Sequence, residues 1–406
     1  MTFIHTHKFM GASQQENGGI LSVKGLEPIF IQPETKACNG AHLLSNLDIV
    51  VMSMVNTVYI YNVDGETNSE ATCDVIKNAD GKLFVDCVNT KGVPFVEAGA
   101  DFSIDKVGDI TVPDTPMLEK FIYSVPGVEN ILEMPLMTAQ LTRFNSGAFV
   151  LGMAINHSIV DGQSAMEFVN SWAETARGVS QTIPPVLDNS VFTSRKPSTL
   201  NKNPTEKLNL IDMTDVSNLE SLYQKENTIY KSFALEEDGE LKYCSNFSVI
   251  AVLQTRLLFP IDIRSKLNTP LPKGFFGNGI VTSQCTLTAS ELIEKPFSFA
   301  VKIVQNAIQK VDEVYVQSYN DYFETRRITT PPPSLTGTLV ISSFIRLAFK
   351  SADFGWGEAT QFGSVELPKE VCCFTHDGVK EKGQIILILG LPVCAMNTFQ
   401  QLMNKV

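Results

Sequence analysis

Positive charge is scarce in this sequence. Its 406 residues include 32 Lys and Arg against 44 Asp and Glu, so the formal net charge is -12. Nucleic acids and anionic membrane surfaces attract proteins through basic patches, and this balance argues against either as the main partner. Charged residues make up 19% and apolar residues 44% of the chain. These are ordinary globular proportions and exclude a disordered protein.

Metal-binding cysteine patterns and long apolar runs are also missing. The eight cysteines include no Cys-x-x-Cys pair, so we expect neither a metal site nor a disulfide framework. The longest apolar run, residues 385–396, contains Gly390 and Pro392 and is too short to span a bilayer. The first residues lack the basic-then-apolar order of a signal peptide. We therefore expect a cytoplasmic protein without a membrane span.

One stretch, residues 149–165 (FVLGMAINHSIVDGQSA), combines the features of a reaction site. Its first part is a nearly continuous apolar run, which predicts a strand buried on both faces. The run ends at His157, and Asp161 and Gly162 supply turn residues ahead of an amphipathic helix from about Gln163 to Arg177. Rigid scaffolds often present catalytic groups at the end of such a strand.

Strands and helices alternate along the whole chain, which predicts two α/β or α+β layers. Residues 136–144 and 148–155 are typical of a β-hairpin turning at Asn145-Ser146-Gly147. A long helix is predicted from Lys295 to Tyr315, and a closing helix from Pro392 to Met403. Four prolines and little periodicity mark residues 179–206 as a linker between an N-terminal domain, 1–178, and a C-terminal domain, 207–406.

Two interpretations of the His157-x-x-x-Asp161 pattern stay open at this point. In the first, His157 is a core histidine with its hydrogen bonds satisfied and Asp161 caps the following helix. In the second, His157 is a general base, since an unperturbed imidazole has a pKa of about 6.5 and can take a proton from a hydroxyl group near neutral pH. The turn then favours Asp161 as a structural ion-pair partner over a relay to the imidazole. A third class, a hydrolase with Ser164 as nucleophile, lacks the glycine of a nucleophile elbow at Met166.

Two distant motifs resemble one family. His157-Ser158-Ile159-Val160-Asp161-Gly162 and Asp353-Phe354-Gly355-Trp356-Gly357 are similar to the HxxxDG and DFGWG signatures of the plant BAHD acyl-CoA-dependent acyltransferases. Residues 44–48 (LSNLD), 276–279 (FGNG) and 390–396 agree with the family in the same order. Within the family, the chain looks most like hydroxycinnamoyl transferases acting on ω-hydroxy fatty acids or fatty alcohols, such as ω-hydroxypalmitate O-feruloyl transferases.

The resemblance implies a fold and a set of roles. The fold is of the α/β class, with two similar chloramphenicol-acetyltransferase-like domains, each a mixed sheet flanked by helices, and an active-site channel between them. His157 is implied as the general base, and Asp161 as the partner of Arg264, with Gly162 in the turn after it. Asp353, Phe354, Gly355, Trp356 and Gly357 are implied to form a structural loop on the CoA side. Acyl-CoA is then a co-substrate, an alcohol or amine is the acceptor, no metal or cofactor takes part, and the protein is a monomer.

The chain departs from the family at three places. Many members have Thr-x-Trp near the oxyanion, where this chain has Ser342 and Phe344. A long helix is missing between Lys77 and Lys82, and a second between Val252 and Leu257. We expect such losses to expose apolar strand faces and to lower stability. Two functions stay open: an active acyltransferase using His157 and Ser342, or a catalytically weak or inactive relative that binds acyl-CoA.

Overall fold

The computed structural model describes residues 21–31, 41–51, 53–61, 74–77, 83–86, 92–110, 114–192, 228–235, 255–326, 338–367, 371–376 and 385–403. The strands of this part are β1 (Val23–Gly25), β2 (Ile29–Ile31), β3 (Ala41–Leu43), β4 (Met54–Tyr61), β5 (Asp74–Lys77), β6 (Leu83–Asp86), β7 (Val93–Ala100), β8 (Met137–Arg143), β9 (Phe149–Asn156), β10 (Thr228–Leu235), β11 (Thr255–Asp262), β12 (Ile280–Leu287), β13 (Thr338–Ser343), β14 (Gln361–Ser364), β15 (Val371–His376) and β16 (Ile385–Pro392). Its α-helices are α1 (Asn46–Val50), α2 (Thr115–Leu118), α3 (Gly162–Ala176), α4 (Ala289–Glu294), α5 (Phe297–Gln309), α6 (Glu313–Arg326) and α7 (Val393–Met403).

The first sheet is built around β9. Its strand order is β1-β7-β8-β9-β4-β14, and β2 also pairs with β7. All eight residues of β9 are buried, as the continuous apolar run predicts. The predicted hairpin joins β8 to β9, with Phe144 N–H donating to the Ala148 carbonyl at 2.9 Å. Gly147 allows this turn because its φ of 88° lies in the left-handed region.

Successive residues of β9 alternate between two hydrophobic cores. Leu151 and Met153 face α3, where they pack in one cluster with Met166 and Val169. Val150 faces the opposite side, where Phe121, Phe144 and Leu118 form a second cluster with it. The helix on one face and the loop-rich segment 102–122 on the other therefore fix the strand that leads to His157.

The second sheet contains strands from residue 228 onward. Its order is β10-β16-β15-β13-β11-β12, with parallel pairing of β13 to β11 and to β15, and antiparallel pairing elsewhere. Helix α5 packs on β12, and a cluster containing Ile261, Val281 and Val316 forms its core. One strand crosses over: β14 pairs antiparallel with β4 of the first sheet. The predicted division at 178 and 207 stays a prediction, and residues 193–206 of the linker lie outside the described part.

The prediction of one helix from Lys295 to Tyr315 is wrong. Helix α5 ends at Gln309, and α6 starts at Glu313 and runs to Arg326. Asp312 begins the second helix, because its carboxylate accepts a hydrogen bond from Tyr315 N–H at 2.8 Å. Apolar residues continue at helical spacing across the break, and this continuity hides the cap in the sequence.

The short connection noted between Lys77 and Lys82 joins two paired strands. Strands β5 and β6 are antiparallel neighbours, with Lys77 opposite Leu83, and β3 completes a separate three-stranded sheet. Only five residues, 78–82, connect the two strands, which leaves no room for the long helix of the family. The second predicted loss, between Val252 and Leu257, begins in residues that lie outside the described part, which resumes at residue 255.

The close approach of β9 to the 119–122 segment gives a stability prediction. A Cβ atom at Gly152 would lie 1.9 Å from the Phe121 carbonyl oxygen, which is backbone and cannot rotate away. We expect Gly152→Ala to lower the free energy of unfolding by about 3 kcal/mol or more, as severe overpacking does. Gly99→Ala is the matched control, since a Cβ there has nothing within 4 Å, and it should change stability by less than about 0.5 kcal/mol. Urea unfolding measures both, and equal effects would contradict the packing described here.

Candidate active site

His157 follows directly after β9, and both of its peptide groups are held. Its N–H donates to the Ser53 carbonyl at 2.8 Å, and its carbonyl accepts from the Asn278 side-chain amide at 2.8 Å. Asn156 shapes the turn that follows, because its side-chain oxygen accepts from Ser158 N–H at 3.0 Å. The backbone that carries the imidazole is therefore fixed by a strand, a turn and a contact from the second half of the chain.

The imidazole of His157 is held less tightly than its backbone. The residue is partly exposed, and its Nδ1 is buried without a hydrogen-bond partner among the described residues. A core histidine with its hydrogen bonds satisfied would show the opposite pattern. The described contacts therefore give no support to the first interpretation at His157, and its role as general base stays a prediction.

Asp161 lies four residues further on and receives four hydrogen bonds. Arg264 binds it in a bidentate fork, with Nη1 2.7 Å from Oδ2 and Nη2 2.9 Å from Oδ1. Ser164 N–H donates to Oδ1 and Gly279 N–H to Oδ2, each at 2.9 Å. Asp161 therefore caps α3 and also pairs with Arg264, so the capping role and the ion-pair role expected from the sequence are both present.

Burial and charge act in opposite directions on Arg264. Its side chain is 12% exposed, and that of Asp161 is 2% exposed. Burial lowers the pKa of Arg264, but the hydrogen bonds and negative charge of Asp161 outweigh it, so the pKa is raised overall. Arg264 therefore stays charged, and its fork with Asp161 ties the start of α3 to the loop after β11.

Gly162 starts α3 under a side chain from the second half. A Cβ atom built on Gly162 would lie 2.8 Å from Leu347 Cδ1, so the loop after β13 covers this turn. Ser342 lies on β13 opposite Cys373 and is partly buried. Phe344 packs into the first core cluster, with its ring centroid 6.1 Å from that of Phe349. In the described contacts nothing joins Ser342 to His157, and the catalytic role of Ser342 stays a prediction.

Ser164 is not a nucleophile. It is completely buried, and its hydroxyl contacts the carbonyls of Phe275 and Gly277 at 3.1 and 2.9 Å. Arg264 Nη2 and Gly277 N–H lie 3.0 and 3.2 Å from the same oxygen. A hydroxyl in this position cannot reach a substrate carbonyl, so the hydrolase alternative is wrong. Its role is to hold residues 275–277 against the start of α3.

Asp353 organises the second motif as a closed loop. Its Oδ1 accepts from Gly355 N–H and Gly357 N–H at 2.8 Å each, and Oδ2 accepts from Arg177 at 2.9 Å. Burial raises the pKa of Asp353, but the two backbone hydrogen bonds and the nearby guanidinium lower it more. Both glycines have positive φ, at 104° and 88°, and this conformation explains why glycine is needed there.

The aromatic residues of this loop pack far from His157. The Trp356 ring lies 4.4 Å from that of Phe149, the first residue of β9, and 5.9 Å from that of Phe354. His157 lies eight positions after Phe149, which in extended chain is a distance of about 26 Å. The loop is therefore built for support at the opposite end of the strand.

Residues 48 and 278 belong to the site, although sequence reasoning assigned them no role. Asn278 Nδ2 donates to the His157 carbonyl and to Asp48 Oδ1, at 2.8 and 2.9 Å. Burial raises the pKa of Asp48, and hydrogen bonds from Ser45 and Asn278 oppose this shift. A polar residue between two glycines, Gly277 and Gly279, was the signal in the sequence, since such spacing marks a close approach of backbone.

A cavity of about 600 Å³ opens on the face of the first sheet opposite α3. Its lining includes Asn56, Tyr123, Ser124 and Gln140, and it does not include His157. The channel that the sequence predicted between the two halves is a different feature, and it stays a prediction.

Comparison with known proteins decides the family. The model of the Transferase family matches residues 21–247 and 240–406. Omega-hydroxypalmitate O-feruloyl transferase of Arabidopsis thaliana is 39% identical, over 94% of this chain and 92% of the relative. Fatty alcohol:caffeoyl-CoA acyltransferase of the same plant is 37% identical, over 95% of this chain and 98% of the relative. The chain belongs to this family. The predicted BAHD acyltransferase membership is confirmed, and with it the enzyme class.

Solved structures show the same fold at low identity. Vinorine synthase superposes with a TM-score of 0.67 and 18% identity, over 93% of this chain and 96% of that structure. F. graminearum TRI101, crystallised with coenzyme A and T-2 mycotoxin, superposes with a TM-score of 0.62 and 12% identity, over 89% of this chain and 97% of that structure. The predicted chloramphenicol-acetyltransferase-like α/β class is confirmed.

The family members are longer inside the aligned region. The alignment with the feruloyl transferase runs over 431 positions. It includes 94% of the 406 residues of this chain, which is about 382 residues. About 49 positions of that relative therefore have no counterpart here. The direct connection of β5 to β6 is one place in the structure where such a loss fits.

Two Arg–Asp pairs of different burial give the second prediction. Arg264→Lys keeps the positive charge but loses the fork, so Asp161 keeps fewer of its charged hydrogen bonds in a buried site. We expect the free energy of unfolding to fall by about 1.5–3 kcal/mol. Arg177→Lys is the control, because its pair with Asp353 is one contact between side chains that are each 32% exposed. It should cost less than about 1 kcal/mol. Chemical denaturation compares the two, and a smaller loss at position 264 would refute the anchoring role.

Proposed function

We propose that this acyltransferase moves a hydroxycinnamoyl group, such as feruloyl, from acyl-CoA to the terminal hydroxyl of an ω-hydroxy fatty acid or a fatty alcohol. The observation that carries the reaction type is the position of His157 directly after β9, with a backbone held on both sides and a partly exposed side chain. The substrate class is supported by the names of two relatives, at 39% and 37% identity over almost the whole chain.

The proposed reaction needs one proton acceptor and one place for negative charge. His157 takes the hydroxyl proton of the acceptor as its oxygen attacks the thioester carbonyl. The tetrahedral intermediate carries an oxyanion, and Ser342 is proposed as a donor to it. The intermediate collapses by breaking the carbon–sulfur bond, and the CoA thiolate leaves and receives the proton from His157. Asp161 and Arg264 take no part in the proton transfer and hold the turn that follows His157.

The remaining properties are part of the same proposal. Acyl-CoA acts as co-substrate, with no metal or separate cofactor, and the enzyme works as a cytoplasmic monomer. Among the described residues no helix is both long and apolar enough to cross a bilayer.

A second candidate function is binding of acyl-CoA without efficient turnover. Phe344 favours it, because it stands where many family members have tryptophan and its ring packs into the first core without a donor. The shortened connection between β5 and β6 favours it as well. Isothermal titration with feruloyl-CoA, combined with the turnover assay below, separates the two candidates: binding without thiol release supports the second.

Removal of the proposed base gives the third prediction. Purified protein is incubated with feruloyl-CoA and 16-hydroxypalmitate, and free CoA thiol is followed with a thiol reagent. We expect His157→Ala to lower kcat by at least about 10²-fold, within the range for general-base catalysis, without loss of the folded state.

His42→Gln is the matched control for this assay. His42 is also a partly buried histidine, and its ring nitrogen lies 3.4 Å from the Asn189 amide, away from the contacts described for His157. It should keep kcat within about twofold of the wild type. Thiol release by His157→Ala at the wild-type rate would overturn the proposed mechanism. Release without any acceptor would indicate thioester hydrolysis.

Two neighbouring serines give the fourth prediction. Ser342→Ala should lower kcat by about 10²-fold, the effect of removing one donor from an oxyanion site. Ser343→Ala is the control, because successive residues of a strand point to opposite faces and Ser343 is exposed. We expect no more than a twofold change for it. Equal kcat values for the two variants, measured with saturating feruloyl-CoA, would remove Ser342 from the mechanism.

A further inference from the structure

One side-chain amide lies between the proposed base and a buried carboxylate. Asn278 Nδ2 is 2.8 Å from the His157 carbonyl oxygen and 2.9 Å from Asp48 Oδ1. The backbone N–H of Asn278 also donates to Asp48 Oδ1, at 3.4 Å. Asn278 is 1% exposed and Asp48 is 5% exposed, so neither exchanges these partners for bulk water.

Asp48 is itself rigidly held on α1. Its Oδ2 accepts from the Ser45 N–H and from the Ser45 hydroxyl, each at 2.7 Å, and Ser45 caps the helix in return. These bonds form a capping box, so the carboxylate has one orientation relative to the helix. Its other oxygen is left for Asn278.

The two acceptors also fix the orientation of the Asn278 amide. With Nδ2 turned toward Asp48 and the His157 carbonyl, both contacts join a donor to an acceptor. The flipped amide would place Oδ1 against two oxygens, which is unfavourable in a buried site. Asn278 Oδ1 then has no partner among the described residues. The orientation in which Asn278 Nδ2 donates to the His157 carbonyl is therefore the one that leaves Asn278 Oδ1 unpaired.

We propose that Asn278, held by Asp48, is a positioning residue that sets the imidazole of His157 through its backbone carbonyl. This inference rests on the proposed role of His157 as the base. Its contacts involve other atoms than the Asp161–Arg264 pair, which reaches the neighbouring residue through Gly279 N–H. Since Ser53 holds the His157 N–H, the two contacts together fix the peptide planes on both sides of the His157 Cα. The direction of the Cα–Cβ bond follows from these planes.

The first test replaces the donor by an acceptor of the same shape. Asn278→Asp puts a carboxylate oxygen against both Asp48 and the His157 carbonyl. We expect kcat to fall by about 10²-fold, since a misplacement of about 1 Å can cost that much. The KM for feruloyl-CoA should change less than threefold, because Asn278 positions the base and does not bind the donor. A kcat within twofold of the wild type would overturn the proposal.

A reciprocal exchange separates positioning from stability. In Asp48→Asn/Asn278→Asp, the new amide on α1 can donate to the new carboxylate, which restores the side-chain link between α1 and residue 278, while the weaker bond from the N–H of residue 278 is lost. Neither residue then offers a donor to the His157 carbonyl. We expect the melting temperature to recover toward the wild type while kcat stays low. Recovery of both would show that the donor to His157 is not needed, and the proposal would be wrong. The double variant also serves where Asn278→Asp alone does not fold.

Asn46→Ala supplies the matched control. Asn46 lies on the same short helix, is 3% exposed and also reaches the second half, donating to the Asn320 carbonyl and to Glu324 at 3.0 Å each. None of these bonds involves His157. We expect a lower melting temperature with kcat within twofold of the wild type.

A spectroscopic measurement distinguishes failure of this proposal from failure of the proposed function. The ring resonances of His157 are assigned in ¹⁵N-histidine-labelled protein by their loss in His157→Ala. Asn278→Asp and the double variant should shift them, and Asn46→Ala should not. If the two variants shift these resonances but the wild-type protein releases no thiol, the result would support positioning and reject the acyl transfer. Unchanged resonances would reject positioning even if the enzyme is active.

Discussion

The ion pair between Asp161 and Arg264 is the interaction on which the site depends. It is buried, and it joins the first turn of α3 to the loop after β11. A buried charge is tolerated only when its partner and its hydrogen bonds are complete, and each oxygen of Asp161 has two donors. The start of α3 adds the positive end of its dipole. The same carboxylate therefore fixes the turn after His157 and the position of Gly279, which come from opposite halves of the chain.

The two ends of β9 are secured by different physical means. At the His157 end, charged and polar groups set distances and directions, through Arg264, Ser164 and Asn278. At the Phe149 end, aromatic packing around Trp356 holds the strand, and the partly exposed pair of Arg177 and Asp353 lies at the edge of this packing. Apolar packing is less directional than hydrogen bonding. The polar contacts lie where the chemistry requires a defined geometry.

Local patterns in the sequence predicted the parts of the fold that depend on neighbouring residues. The buried strand, the hairpin at Gly147 and helix α3 were predicted within one or two residues, because each has a periodicity and an end signal of its own. The single helix over 295–315 was wrong because apolar spacing continued through the cap at Asp312. The pairing of β14 with β4 was not foreseen, since about 300 residues separate the two strands.

The site divides in the same way. The resemblance to a family pointed to His157, Asp161 and Arg264, and the structure brings the last two into contact. Asn278 and Asp48 had no signal that joined them, because they are 230 residues apart and no period relates them. Their link became visible only from the coordinates. Contacts of this kind position a base without resembling a catalytic motif.

Buried polar atoms with and without hydrogen-bond partners lie side by side at the site. Ser164, Asp161 and Asp48 are buried and have their hydrogen bonds, although each would be costly to leave unpaired. By contrast, His157 Nδ1 and Asn278 Oδ1 are buried and unpaired among the described residues. Such an atom costs about 1–3 kcal/mol. Ser158 Oγ, beside His157, and several amide oxygens elsewhere are in the same state, so an unpaired buried atom does not by itself mark the site. The Ser164 hydroxyl, with four polar partners in place, has no freedom to act as a nucleophile, and the proposed chemistry rests on His157.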